Sequence, residues 1–377
     1  MRVAFNTLHE DPAAPSNAVR FIANMVTALA ERTPANEYLL YVGEQGVAMF
    51  DDIAPPSVRR QVFPHSNERR LQRMIAEQRD VPGRLRADKV DIFHCVGGVV
   101  PFRSDVPSAL SVITMHHKLF PRQIGFARTQ FRNVMFDLSV RKATVIICNS
   151  ESNKANILKY LPVSEDKTML CPDALDEFYL KPADPVSCER LRAELHIDKP
   201  YIMFASALWK YKGLETLLDA FALLRKSDGE ARQLVVCGSG WPAYTEELKS
   251  KADRLGIAAD TLWVGHQGAE RLRSIYAGAE VFVYPSLYET FGHPPLQAMA
   301  QGAPVVASDC SSIPEVVGDA ALLFDPHSPQ ELHDALRRLL DNPAFRQEMI
   351  DRGRRQAQVW NWDRASAAVV DVYARCS

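Results

Sequence analysis

The chain has 377 residues, 47% of them hydrophobic and 24% charged, an ordinary globular composition with room for two domains of roughly 150–200 residues each. A formal net charge of -2 names no polyanionic partner, and no apolar run approaches the roughly 20 residues needed to cross a bilayer. Seven cysteines, an odd number without a Cys-x-x-Cys pair, indicate neither a disulfide framework nor a zinc site and fit a reducing compartment. The run Met1–Asn6 is too short for a signal-peptide core, so we expect a cytoplasmic protein, working on membranes from the inner surface if at all.

Taken in chain order, short β-rich runs alternate with helical periodicity, the pattern of parallel sheets in α/β domains. The first half predicts strands at Val3–Asn6, Tyr38–Val42, Ile92–Cys95, Ser111–Met115, Val145–Cys148 and Thr168–Cys171. Helices are predicted there at Asn17–Glu31, Ala127–Lys142 and Glu151–Tyr160. The second half predicts strands at Ile202–Ala205, Leu234–Cys237, Leu262–Val264, Val281–Tyr284, Val305–Ala307 and Ala321–Phe324. Its helices are predicted at Leu214–Arg225, Ala243–Leu255, Pro295–Gln301, Pro329–Leu340 and Phe345–Gln358. Two doubly wound, Rossmann-like domains result, with the proline-containing stretch 179–185 as the linker. We expect domains at 1–180 and 181–360 and a separate terminal helix at 361–377. Ligands of such sheets bind at the carboxyl ends of the strands, so a cleft between two facing domains is the expected site.

The most informative segment follows the strand that ends at Tyr284. It reads Pro285-Ser286-Leu287-Tyr288-Glu289-Thr290-Phe291-Gly292-His293-Pro294-Pro295-Leu296-Gln297-Ala298-Met299-Ala300. A proline suits the first turn of a helix, where its missing N–H leaves nothing unsatisfied. The amides of Phe291, Gly292 and His293 are then open to an anion such as a diphosphate, with Thr290 beside them. Glu289 is placed to bind sugar hydroxyls or to stabilise positive charge at an anomeric carbon; taken alone, it could equally be a surface acid.

Elsewhere, Lys210 and Lys212 lie at a strand-to-helix turn from which an ammonium reaches phosphate oxygens, although solvated loop lysines are common. The turn Cys237-Gly238-Ser239-Gly240 lacks the third glycine of a dinucleotide fingerprint, which disfavours a nicotinamide dehydrogenase. We read Gly238 as part of a second turn near the phosphate. His116 and His117 are expected at the carboxyl end of a strand, where an imidazole binds a sugar hydroxyl or relays a proton. No Asp-x-Asp pair is present, so no metal site and no cofactor are expected beyond the donor substrate itself.

These motifs together resemble the family 4 glycosyltransferases, retaining and metal-independent enzymes of the GT-B fold. The resemblance covers the Glu289 segment, then Gly302-Ala303-Pro304-Val305-Val306-Ala307-Ser308-Asp309, Ile313-Pro314-Glu315-Val316, Ala321–Pro326 and the terminal Trp362-Asp363-Arg364. It implies that Glu289 contacts the transferred sugar, that Lys212 neutralises the leaving group, and that His116 lies near the sugar. The family's second glutamate, which binds the donor ribose, is replaced by Gln297. An arginine usual near Ser206 is absent, with Lys210 close by. Related enzymes hold the nucleotide base in part through main-chain atoms near Val264-Gly265-His266. The glycine pair usual in the first loop is replaced by Pro15-Ser16-Asn17-Ala18, which leaves Asn17 and His117 as first-loop and acceptor candidates. The last helix is implied to cross back to the first domain.

The function so implied is transfer of a hexose from a nucleotide-diphosphate sugar, GDP-mannose in the first instance, to a glycan or lipid-linked acceptor with retention. The alternatives are a nucleotide-sugar-binding protein with little turnover and a nucleotide-sugar epimerase of similar fold. Residues 59–142 carry 16 Lys+Arg against 7 Asp+Glu, a local net of +9. This stretch includes Arg69, Arg70, Arg73, Arg79, Arg84, Arg86, Arg122, Arg128 and Arg132, with Phe120, Phe126, Phe131 and Phe136 interleaved. Such a face docks on anionic headgroups or is simply solvated, with its aromatics packed inward. No nucleic-acid module surrounds it.

Overall fold

The computed structural model describes residues 1–8, 10, 17–50, 54–64, 70–121, 126–227 and 231–376, with 17–18, 70–72 and 126–128 described in backbone only. The chain divides into two compact units, Met1–Ala174 with Asn361–Ser377, and Leu175–Trp360. The first unit holds seven strands: β1 Arg2–Asn6, β2 Glu37–Gly43, β3 Arg59–Phe63, β4 Ile92–Val96, β5 Ser108–Ser111, β6 Val145–Cys148 and β7 Thr168–Leu170. They form one parallel sheet in the order β3-β2-β1-β4-β5-β6-β7. Val3 of β1 lies opposite Tyr38 on one side and Ile92 on the other, so the winding direction reverses beside β1.

Three features of this unit differ from the sequence reading. Strand β3, Arg-Arg-Gln-Val-Phe, is absent from the sequence expectation, because it opens on three polar residues and only Phe63 is buried, Val62 being exposed. A charged edge strand lacks the apolar run of an inner one and resists edge-to-edge aggregation. A helix at Arg70–Ala87 is absent from it too, since Pro82 stands inside the helix and proline normally ends one. Strand β5 spans Ser108–Ser111 rather than Ser111–Met115, and His116 and His117 open a one-turn helix, His116–Leu119, instead of ending a strand.

The terminal helix Trp362–Cys376 belongs to the first unit. Its Trp362, Val369, Val372 and Tyr373 share a core with Val19, Ile22, Val26 and Leu29 of the helix Asn17–Arg32. Arg32 pairs with Asp363 at 3.0 Å, and its Nε donates to Ser366 Oγ at 2.8 Å. Deeper in, His94 of β4 bridges the Tyr373 hydroxyl and Ser111 Oγ, both at 2.8 Å. Burial pushes the His94 imidazole down to about 3, so it is neutral in the folded chain at any ordinary pH. Between about 3 and the unfolded value near 6.5 only the unfolded chain takes up this proton, so stability rises with pH across that window. The contribution is at most about 1.4 kcal/mol per pH unit. We expect His94→Gln to flatten the dependence of unfolding free energy on pH between about 4 and 6; an unchanged slope in acid denaturation would refute it.

The second unit holds β8 Tyr201–Ala205, β9 Gln233–Cys237, β10 Thr261–Gly265, β11 Val281–Tyr284, β12 Val305–Ser308 and β13 Ala321–Phe324. All are parallel, in the order β10-β9-β8-β11-β12-β13, as the alternating pattern predicts. Side chains alternate between two cores. Ile202, Phe204, Val281 and Val283 join Leu217, Phe221, Leu336 and Leu339, whereas Tyr201, Met203, Phe282 and Tyr284 join Tyr276, Leu296, Met299 and Trp360. Residues 179–183 are pinned to this unit by Gln301, which donates to Lys181 O at 3.0 Å and accepts from Ala183 N–H at 3.0 Å. The unit begins and ends at one place, where Leu175 N–H donates to Trp360 O at 2.7 Å.

Candidate active site

Strands β8 and β11 are neighbours, and each continues outward on opposite sides, so the second sheet has its switch point between them. The loops that leave their carboxyl ends carry Lys212 and Glu289. These loops are joined by backbone, Leu287 N–H donating to Tyr211 O at 2.7 Å. Gly213, at φ +70°, permits the approach: a Cβ there would lie 1.9 Å from the Pro285 carbonyl oxygen.

One carboxylate oxygen collects three donors. Glu289 Oε1 accepts from Lys212 Nζ at 2.6 Å, from the Tyr284 hydroxyl at 2.5 Å and from Ser286 Oγ at 2.5 Å. Oε2 has no partner among the described residues, so the side chain is held by one oxygen and offers the other. Burial, then the facing carboxylate, pushes the Tyr284 hydroxyl well above its ordinary value and keeps it a donor. Burial alone would lower the Lys212 ammonium; Glu289 and Tyr211 outweigh it, and the net direction is upward. The loop backbone is fixed as firmly. Ser311 Oγ donates to Glu289 O at 2.5 Å and accepts from Glu289 N–H at 3.0 Å, while Ser312 Oγ donates to Phe291 O at 2.7 Å and Ser308 Oγ to Ser286 O at 2.5 Å.

Gly292, at φ +112°, then turns the chain into the helix His293–Ala300, which starts two residues before the expected Pro295. The amides of Phe291 and Gly292 find no acceptor among the described residues, which leaves them for a ligand anion at this helix start. The Phe291 ring itself is buried edge-on against Trp360, 5.1 Å between centroids. Thr290 and His293 are half-buried on either side. Within the same helix, Gln297 Oε1 accepts from the buried Tyr276 hydroxyl at 3.2 Å. What remains on offer at Gln297 is its amide NH2.

Other expected residues lie apart from this cluster. Lys210 is exposed, pairs with Glu247 at 3.8 Å and stands over the Tyr244 ring, so it does not join Lys212. Gly238 spends its N–H on Gly265 O at 2.7 Å, linking the ends of β9 and β10. His266 is exposed beyond β10. In the first unit His116 is half-buried with its ring 5.7 Å from Phe120, whereas His117 is buried edge-on against Phe136 at 4.9 Å. Burial, with Arg132 and Lys118 nearby, pushes the His117 imidazole down to about 4, and its Nε2 has no partner among the described residues. It is a packing side chain rather than a presented one. The Asn17 side chain and residues 15–16 lie outside the described residues.

Sequence reasoning finds Glu289 and Lys212 but not Tyr284, Ser286, Ser311 and Ser312. The only local signal is the hydroxyl run Ser308-Asp309-Cys310-Ser311-Ser312 after a buried strand. In the basic stretch several arginines are answered by carboxylates: Arg73–Glu77, Arg79–Asp80, Arg84–Asp88 and Arg86–Asp105. Arg69 and Arg122, and the side chains of Arg70, Phe126 and Arg128, lie outside the described residues. On the helix Phe126–Lys142 the aromatics divide. Phe136 packs inward, while Phe131, Val134 and Leu138 form an exposed stripe, at 43%, 57% and 43% exposure. Among the described residues no helix is long and apolar enough to cross a membrane.

Both halves of the chain match known glycosyltransferase families. Residues 189–356 match the family described as "Glycosyl transferases group 1", and residues 18–177 match "Glycosyltransferase Family 4". An O-antigen chain mannosyltransferase B of Escherichia coli is 26% identical over 372 residues, 94% of each chain. An MMP alpha-(1->4)-mannosyltransferase of Mycolicibacterium hassiacum is 33% identical over 262 residues, which cover 68% of this chain and 59% of that protein. In fold, the Anabaena protein HepE, solved in complex with UDP, superposes with a TM-score of 0.75 at 18% identity, over 99% of this chain and 100% of that one.

Proposed function

The chain belongs to the family 4 glycosyltransferases and is a hexosyltransferase, and from that premise we propose that it moves mannose from GDP-mannose to a glycan or lipid-linked acceptor, with retention and without a metal. The observation that carries the proposal is the divided carboxylate at the switch point, with Oε1 of Glu289 anchored and Oε2 on offer beside Lys212. Lys212 and the amides of Phe291 and Gly292 would neutralise the departing diphosphate. Glu289 Oε2 would meet the sugar hydroxyls and the positive charge that grows at the anomeric carbon. The leaving phosphate would take the proton of the entering hydroxyl on the same face, which gives retention. Gln297 would donate its NH2 to the ribose. Lysine and amides provide the charge that a metal would otherwise bring. The mannose assignment draws on the names of the two mannosyltransferase relatives.

The stripe of Phe131, Val134 and Leu138, with exposed Arg132, Arg141 and Lys142 on the same helix, supports peripheral contact with an anionic membrane from the cytoplasmic side. Nucleic acid is no part of the proposal.

The test is a titration of GDP-mannose, UDP-glucose and other nucleotide sugars in EDTA, followed by NMR of the product's anomeric configuration. GDP-mannose should bind tightest and the product should be the α-anomer; an inverted product or a strict metal requirement would refute the corresponding step. In the same titration Gln297→Glu should tighten donor binding about fivefold, since a charged acceptor gains roughly 1 kcal/mol over an amide. An unchanged dissociation constant would remove Gln297 from the donor site.

A further inference from the structure

Two tryptophan rings stand beside the Glu289–Lys212 pair. Trp209 lies in the Lys212 loop after β8, and Trp241 follows β9 and precedes the helix Pro242–Arg254. Their loops are sewn together: Leu208 N–H donates to Ser239 O at 2.9 Å, and Leu208 forms a parallel bridge with Gly240. A Cβ at Gly240 would lie 2.2 Å from Leu208 O, so this closeness is built in. The two indoles are 5.5 Å apart at 47°, and Trp209 also meets the Tyr211 ring at 6.4 Å.

Other tryptophans of the chain behave differently. Trp360 is buried and its indole N–H donates to Val316 O at 2.9 Å; Trp362 is buried in the first core. Trp241 is 56% exposed, and its N–H has no acceptor among the described residues. Scattered exposed apolar side chains need no explanation, but two large rings fixed side by side by a backbone bridge are not scattered. Around them stand exposed Ser239 and the Lys210–Glu247 pair.

We propose that Trp209 and Trp241 form a subsite for a neutral saccharide ring of a glycan, one that is bound rather than transferred. The C–H face of a pyranose carries slight positive charge and is drawn to the negative face of an indole, while its rim of hydroxyls both donates and accepts. Trp241 N–H, Ser239, Lys210 and Glu247 supply partners of both kinds, and the mixed signs favour a neutral ligand. Strands β9, β8 and β11 are consecutive in the sheet, so Trp241, Trp209, Lys212 and Glu289 follow one another along about 10 Å of its edge. A glycan lying there would continue away from the transferred hexose. The proposal rests on the transferase function given above.

The test uses the full chain and a panel of manno-, gluco- and galacto-oligosaccharides of increasing length, followed by tryptophan fluorescence and calorimetry. Affinity should rise with length for at least one series. Trp241→Ala should weaken the tightest member about tenfold, and Trp241→Phe, which keeps a ring face, should retain most of the binding. Binding of nucleoside diphosphate and the melting temperature should stay as in the wild type. No saturable binding of any series by the wild type, or equal binding by Trp241→Ala, overturns the proposal. Loss of nucleotide binding in Trp241→Ala with oligosaccharide binding intact overturns it too, and assigns the pair to the nucleoside. Failure of the wild type to bind any nucleoside diphosphate would instead sink the transferase function, which separates the two outcomes.

Discussion

Replacement of Glu289 by alanine should lower the transfer rate about a thousandfold, the scale seen when a single preorganised electrostatic group is removed from a transition state. The effect has two parts. Oε2 is the group proposed to meet the reacting sugar, and Oε1 is the anchor of Lys212, Tyr284 and Ser286. Alanine therefore also strands three donors in a site where both ionic partners are mostly buried, at 12% and 13% exposure. Breaking such a pair costs about 3–5 kcal/mol in the interior and less here, where some solvent screens it. Glu289→Gln separates the parts. Its carbonyl still accepts from Tyr284 and Ser286, so the loop should hold and the melting temperature should stay near that of the wild type, while turnover still collapses. Wild-type turnover in either variant, at saturating donor, would reject the role given to Glu289.

Lys212→Ala is the second large effect, and its signature differs. If Lys212 meets the leaving diphosphate, affinity for nucleoside diphosphate alone should fall about tenfold or more, together with kcat/KM. Glu289→Gln should leave the affinity for that sugarless nucleotide near wild type. Lys212→Arg keeps the charge but brings a longer, planar head into a space shaped by Tyr211, and should recover binding only in part. Equal nucleotide affinity in the wild type and Lys212→Ala would remove the lysine from the phosphate site. The double variant should cost less than the sum of the singles, because the two side chains share one hydrogen bond.

Much of this site is legible in the amino-acid order alone. Glu289 stands in a segment whose glycine and proline pair announce a turn into a helix, and Lys212 precedes a glycine shortly after a buried strand. Local chemistry decides such features, so local sequence reports them. Strands with unbroken apolar runs, Val145–Cys148 and Val281–Tyr284, are legible to the residue. The tasks of Ser311 and Ser312 are not, because they are set by where β11 and β12 lie side by side, a long-range fact no window of sequence contains. Tyr284 and Ser286 bond to Glu289 within one short segment, but which of its hydroxyls turn toward the carboxylate is decided by the fold of the loop. The same holds for Lys210. It shares a loop with Lys212, yet Glu247 and Tyr244, about one helix further on, decide its direction. In the first unit, polar β3 and the Pro82-bearing helix break the composition rules on which recognition depends.

The hydrogen bond between Leu175 and Trp360 bears on how this protein can be rebuilt. Residues 175–360 are an insert with touching ends, and the helix beyond them returns to fill the first core. A hybrid made by joining residues 1–174 to another protein's entire remainder would remove Val369, Val372 and Tyr373 from that core and leave its apolar wall against side chains not shaped to fill it. The second unit, with the donor site proposed on it, is therefore better exchanged as a cassette, cut at both sides of this one hydrogen bond, with the native tail left in place.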